Sequence, residues 1–156
     1  METSITTAEW QTVSEIQLVY RTKVAPSERP KISSSQSAYD LLLQAWDQDR
    51  IEFVEQFKIL LLNKGNRALG SYELSTGGTS GTVVDIRLIF AAALKANASG
   101  IILAHNHPSG NLVASQADRE ITARALQAGQ LLGIPVLDHL IISTEGYLSF
   151  ADQGLL

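Results

Sequence analysis

The sequence predicts an α/β domain with a mixed central sheet, and three observations carry that prediction. Short runs of branched apolar residues, such as Gly100-Ile101-Ile102-Leu103-Ala104 and Val136 to Ser143, have the length of strands. Longer stretches with apolar residues at helical spacing lie between them. The two kinds alternate in the order βαββαβαββ, the pattern of helices packed on a sheet.

Residues 1 to about 14 are polar and Thr-rich and are expected to form a loosely held lead-in. Ile16 to Val24 alternates well enough for a first strand, ended by Pro26 and Pro30. The serines at 33 to 35 and Ser37 precede Ala38, Leu41, Leu42, Ala45 and Trp46, which share one helical face. Phe53 to Asn63 reads as a strand buried on both faces, with Asn63-Lys64-Gly65-Asn66 a hairpin turn into Arg67 to Leu74. Ser75 to Gly81 is a Gly/Ser/Thr loop suited to line a cleft.

Asp85 to Asn97 forms the next helix, led by Ile86, Ile89, Phe90 and Ala93, and Gly100 opens the strand after it. A helix from Gln116 to about Leu132 is stopped by Gly133 and Pro135. Val136 to Ser143 is a strand, and Glu145-Gly146 turns the chain into a short closing strand, Tyr147 to Phe150.

The 156 residues, 45% of them hydrophobic, suit a single domain over 1–156 with a real core. Twelve basic against sixteen acidic residues give a formal charge of −4, which argues against a surface built mainly to hold nucleic acid. With no cysteine, thiolate metal sites, disulfides and cysteine nucleophiles are excluded. The start, Met1-Glu2-Thr3-Ser4, lacks a basic region followed by an apolar one, and no apolar run is long enough to span a bilayer. A soluble cytoplasmic protein with no membrane partner is the expectation.

Chemistry concentrates between residues 105 and 118. His105 and His107 follow the apolar strand two positions apart, so in an extended chain both imidazoles point to one side. Pro108-Ser109-Gly110 then turns the backbone away. Ser115-Gln116-Ala117-Asp118 has the form of a helix start, a Ser cap with a carboxylate three residues on, and its first turn is expected to face the histidines. Two neutral imidazoles and the Asp118 carboxylate leave a zinc ion with a fourth position open to water, the pattern of a catalytic site. Taken singly, Ser115 reads as a helix cap and Asp118 as a charge favoured at a helix N-terminus, roles compatible with chemistry.

A hydrolytic zinc site also needs a base. Glu55 is in period-two phase with Phe53, Phe57, Ile59 and Leu61, whereas Glu52 is out of phase and reads as solvated. A carboxylate on the core-facing side needs a partner, and a functional role competes here with an exposed strand-end position. The adjacent letters His105-Asn106-His107 do not make an HNH nuclease, whose residues are dispersed, and the cysteines of a zinc deaminase are absent. Asp138-His139 reads as structural or as support behind a metal ligand, not as direct ligation.

Glu55, His105-Asn106-His107, seven residues, Ser115, two residues and Asp118 together resemble the JAMM (JAB1/MPN) zinc-peptidase motif. Pro108-Ser109-Gly110, Ile121-Thr122, Leu137-Asp138-His139 and Tyr147-Leu148-Ser149-Phe150 are similar to the bacterial RadC branch of that family, so the likeness runs from about Glu55 to the C-terminus. The resemblance implies a JAMM-type α/β/α sandwich. It also implies zinc ligands at His105, His107 and Asp118, one zinc per chain, a catalytic acid/base at Glu55 and an oxyanion donor at Ser115. Departures are Ala114 and Ile86, where the family usually has Pro, and the helix-hairpin-helix region of long RadC proteins, which this sequence does not contain.

The activity this implies is amide hydrolysis by a zinc peptidase or isopeptidase with a protein or peptide substrate. The branch's traditional label, DNA repair, supplies a second reading, a DNA-maintenance binding module without hydrolysis. A DNA-processing metalloenzyme is a third and needs a basic groove. The motif favours the first, because a binding module has no need of a base beside an open metal.

Overall fold

The computed structural model describes residues 13–77 and 83–156. A short 3-10 turn at Pro26–Glu28 leads to helix α1 (Ser35–Ala45), where the Ser34 hydroxyl accepts the N–H of Ser37 and Ser37 returns the bond in a capping box. Strands β1 (Gln56–Leu62) and β2 (Ala68–Thr76) form the expected hairpin; the Asn63 carboxamide accepts the N–H groups of Gly65 and Arg67 and holds the turn. Helix α2 (Ile86–Lys95) is capped by Asp85. Strand β3 (Gly100–Asn106), helix α3 (Gln116–Leu132), strand β4 (Val136–Ile142) and strand β5 (Tyr147–Ser149) complete the order. Gly133 ends α3 with φ 69°, a left-handed conformation natural to glycine.

The five strands lie in the order β2-β1-β3-β4-β5. β3 and β4 are parallel, joined by α3 as the crossover, and the other pairs are antiparallel, so the sheet is mixed as expected. Alternation along the strands sends Leu60, Leu62, Ile102, Ala104, Leu140 and Ile142 to the α1 face. Ile59, Leu61, Ile101 and Leu103 go to the α2/α3 face, where Ile89, Phe90, Ala93 and Ala125 meet them. Helices thus cover both faces, the α/β/α arrangement.

Three expectations need correction. Ile16 to Val24 makes no strand among the described residues: Ile16 is 86% and Leu18 83% exposed. Alternation sorts side chains between two sides of a chain, but a strand also needs a free sheet edge in register. The segment meets β2 through a hydrogen bond from the Tyr20 hydroxyl to the Leu69 carbonyl. Second, β1 begins at Gln56, not at Phe53, which is 71% exposed. Asp47 starts a series of turns in which Ile51 N–H reaches Asp47 and Val54 N–H reaches Arg50, so Ile51 is buried instead. Third, β2 runs through Thr76, past the expected start of the loop at Ser75. Residues 1–12 of the lead-in and 78–81 of that loop, with residue 82, lie outside the described residues.

Candidate metal centre

The site is built at the end of β3. The alternation that sends Ile101 and Leu103 toward α2 and α3 sends His105 the same way, and His107 follows just beyond the strand. The turn closes with Gly110 N–H on the His107 carbonyl at 2.9 Å, at φ 81°. It brings the Asn111 carbonyl within 2.6 Å of His107 Nδ1. A carbonyl only accepts, so Nδ1 carries the hydrogen and His107 presents Nε2. The two Nε2 atoms stand 3.0 Å apart.

Asp118 approaches from the first turn of α3. Its Oδ1 lies 3.1 Å from His105 Nε2 and its Oδ2 3.4 Å from His107 Nε2. The same Oδ2 accepts the Ser115 N–H at 2.9 Å, while Ser115 Oγ accepts the Asp118 N–H at 3.0 Å. The capping box therefore aims the carboxylate, and the cap and the chemistry use one set of atoms. Ser115 itself is exposed.

Glu55 joins the group two residues before Phe57, on the His105 face that its phase predicts, but a contact outside that periodicity fixes its backbone. It precedes β1 and is half-buried, and its position depends on Asn106, which is wholly buried on the opposite face from His105. The Asn106 amide donates to the carbonyls of Ile51 at 2.7 Å and Val54 at 2.8 Å, and its oxygen accepts the Gln56 N–H at 2.7 Å. One side chain thus clamps both sides of Glu55, and the Glu55 carbonyl receives the N–H of Gly77, the residue after β2. Sequence reasoning missed Asn106. The signal was a lone amide ending an apolar strand in the phase opposite to His105.

One ligand atom from each of Glu55, His105, His107 and Asp118 falls within 4.8 Å of the others. Donors about 2.0–2.1 Å from a tetrahedral zinc stand about 3.3 Å apart, close to the separations among the two imidazoles and Asp118. Nitrogen and carboxylate donors without thiolate suit zinc or a similar divalent ion, so the residues present fit a metal.

The electrostatics follow from the crowding. Burial raises the Glu55 carboxyl above its ordinary pKa; His105 and His107 pull it back and Asp118 pushes it further up. Burial acts to raise Asp118 too, but without an ion the His105 and His107 rings, each cationic when its Nε2 also carries a hydrogen, outweigh it and hold the carboxyl far below the usual range. Asp118 raises His107 against the opposing effect of burial.

His139 lies behind His105, with Nε2 2.8 Å from His105 Nδ1, enclosed by the rings of Phe57 and Phe150. Complete burial, and then His105, push it well below the ordinary histidine range, so it is neutral. Asp138 faces elsewhere: its carboxylate accepts the N–H groups of His139 and Ala151 and the Ser149 hydroxyl, tying β4 to the chain end. Glu52, as read from its phase, is exposed and accepts a bond from Thr144 at 3.2 Å.

Two clefts reach the group through different members. One, of about 340 Å³, is bordered by His107, Pro108, Glu52 and Thr144; the other, of about 200 Å³, by Glu55, Asp118, Ile121 and Arg124. Among the described residues no helix is long and apolar enough to cross a membrane.

Known proteins resemble this chain in sequence. A UPF0758 protein of Flavobacterium johnsoniae is 48% identical over 101 residues, 65% of this chain and 44% of that protein. UPF0758 protein STH371 of Symbiobacterium thermophilum is 38% identical over 141 residues, 90% of this chain and 59% of that one. UPF0758 protein tlr1707 of Thermosynechococcus vestitus is 44% identical over 125 residues, covering 80% and 47%. The chain spans about half the length of the curated relatives it matches. The family model described as the RadC-like JAB domain matches residues 32–155, from the approach to α1 past β5, and the chain belongs to that family.

Proposed function

We propose that the chain is a zinc-dependent metallohydrolase, a peptidase or isopeptidase that cleaves an amide bond in a protein or peptide. The observation that carries this reading is a half-buried carboxylate, Glu55, set beside three converging metal donors, His105, His107 and Asp118. One zinc per chain held by those three residues supplies Lewis acidity toward a water and a carbonyl oxygen. Glu55 accepts the proton of the attacking water and returns it to the departing amine nitrogen. Its raised pKa makes it a stronger base than an exposed carboxylate.

Ser115 Oγ receives the Asp118 N–H on a lone pair, which leaves its hydroxyl hydrogen to donate to the oxygen that gains charge. Clefts on two sides of the group suit a substrate that continues past the reacting bond in both directions. With a formal charge of −4, contact with nucleic acid is weak and nonspecific in this reading.

Comparison of peptide termini and released conjugates in a proteome treated with zinc-loaded wild type or Glu55→Gln tests the proposal. New amine ends are expected with the wild type alone. Identical products in the two samples, or tight, salt-steep DNA binding without any cleavage, would overturn it.

A further inference from the structure

We infer that Thr122 and His139 form a hydrogen-bond chain of fixed direction that presents His105 to the metal through Nε2. The inference deepens the metallohydrolase reading and rests on it for the identity of the ion alone. Its starting point is Thr122, one turn after Asp118 in α3 and 1% exposed. Thr122 Oγ1 lies 2.6 Å from the Asp118 carbonyl oxygen and 2.6 Å from His139 Nδ1. His139 Nε2 in turn lies 2.8 Å from His105 Nδ1.

The hydrogens can be counted along this path. A hydroxyl has one hydrogen, and two oxygens at 2.6 Å repel unless a hydrogen lies between them, so Thr122 donates to the Asp118 carbonyl. Thr122 therefore has only lone pairs for His139, and His139 Nδ1 carries the hydrogen that reaches them. His139 is sealed beneath Phe57 and Phe150 with no exposure, and its nitrogens face Thr122 and His105 and no carboxylate among the described residues, so nothing there offsets the cost of burying a cation; the neutral ring has a single N–H, which leaves Nε2 bare. The bare Nε2 accepts from His105 Nδ1, so the hydrogen of His105 is on Nδ1. His105 Nε2, which faces Asp118 and His107, is then the atom free to bind a metal.

The path closes on itself. It begins at the backbone of Asp118, crosses α3, β4 and β3, and ends at an imidazole 3.1 Å from the carboxylate of that same residue. A ligand from the helix and a ligand from the strand are thereby set in orientation by one threonine and one histidine. The opposite direction, Thr122 donating to His139, would run every hydrogen toward the metal and place one on His105 Nε2. Thr122 and His139 are positioning residues, and neither touches substrate.

Two-bond nitrogen–proton NMR of the histidine rings, in the zinc-loaded full chain and again without zinc, reads the tautomers directly. With zinc, His105 and His139 are both expected as Nδ1–H rings; without zinc, His139 is expected to stay Nδ1–H, and that ring decides the assignment even where no metal is taken up. Thr122→Val keeps the shape and removes both bonds; it should disturb the His139 signals and weaken zinc affinity about 10-fold or more, with Thr122→Ser restoring both.

An Nε2–H ring at His139, or unchanged spectra and affinity in Thr122→Val, would overturn the chain. If the valine variant does not fold, the wild-type tautomers alone decide. Zinc binding with the expected tautomers but no hydrolysis would sink the hydrolase reading and leave this inference standing. Hydrolysis with the other tautomer would do the reverse.

Discussion

His105 and Asn106 are neighbours on β3, both polar and both buried, at 1% and 0% exposure, yet they face opposite sides of the sheet and do opposite things. His105 has one nitrogen spent on His139 and the other aimed at a cluster of donors. Asn106 has its amide hydrogens and its oxygen committed to backbone. A buried polar group with a donor atom left over toward a cleft is built for a ligand, whereas one that is fully satisfied is built to hold shape. Breaking each face separately should therefore produce different failures.

The largest effect is expected on the His105 face. Asp118→Ala removes the oxygens facing both imidazoles, and zinc affinity should fall by more than the roughly 10- to 100-fold that outer partners cost. The cap from Ser115 remains and only the return bond from the Ser115 N–H is lost, a destabilisation of about 1 kcal/mol, so the fold should survive. Calorimetric titration with circular dichroism checks both, and full zinc occupancy in the variant would contradict the ligand role.

Glu55→Gln comes next, with hydrolysis lowered by about 100-fold or more while zinc content stays at the wild-type level. Since the base must be ionised and burial raises its pKa, the acid limb of kcat/KM should lie above the ordinary glutamate value of about 4.3. Loss of zinc in this variant would show Glu55 to be a ligand.

Asn106→Ala sharpens the comparison from the other face. Three backbone groups lose their partner, and urea unfolding should show a loss on the order of 3 kcal/mol. Because the clamp holds Glu55 and not the metal donors, kcat should drop more than zinc affinity. Equal losses in both would mean that the two faces are not separable.

A smaller effect concerns pH. His139 has a folded pKa below its unfolded value of about 6.5, so the stability it contributes is present above that value and is lost as pH falls toward the folded pKa. His107, with a raised pKa, contributes in the opposite sense, its stability being lost as pH rises. Thermal melts of the metal-free protein between pH 7.5 and 5.5 should fall more steeply for the wild type than for His139→Gln. The smallest expected change is in Glu52→Gln, whose exposed side chain accepts a bond from Thr144, and activity should stay within about twofold.

Much of this was legible in the chain because it is local. Helix α3 has the expected bounds, since Ser115, Asp118, Gly133 and Pro135 carry their start and stop chemistry within a few residues. The direction of His105 and His107 follows from the two-residue period, as does the sorting of Ile101 to Ala104 between two cores. Glu55 shares its phase with Phe57, Ile59 and Leu61, which face the same side as His105, so the period points to the correct face; only its extension back to Phe53 is broken, by the turns after Asp47.

What the sequence by itself determined is therefore the set of elements, the face each strand residue takes and the spacing of the donor residues. Tertiary structure alone decided that Ile16 to Val24 forms no strand among the described residues, that Asn106 reaches back 55 residues to Ile51, and that His139 stands 34 residues from His105 yet at 2.8 Å. The physical reason is that periodicity depends on backbone geometry within a few residues, whereas pairing and side-chain contact depend on which elements share an edge and in what register.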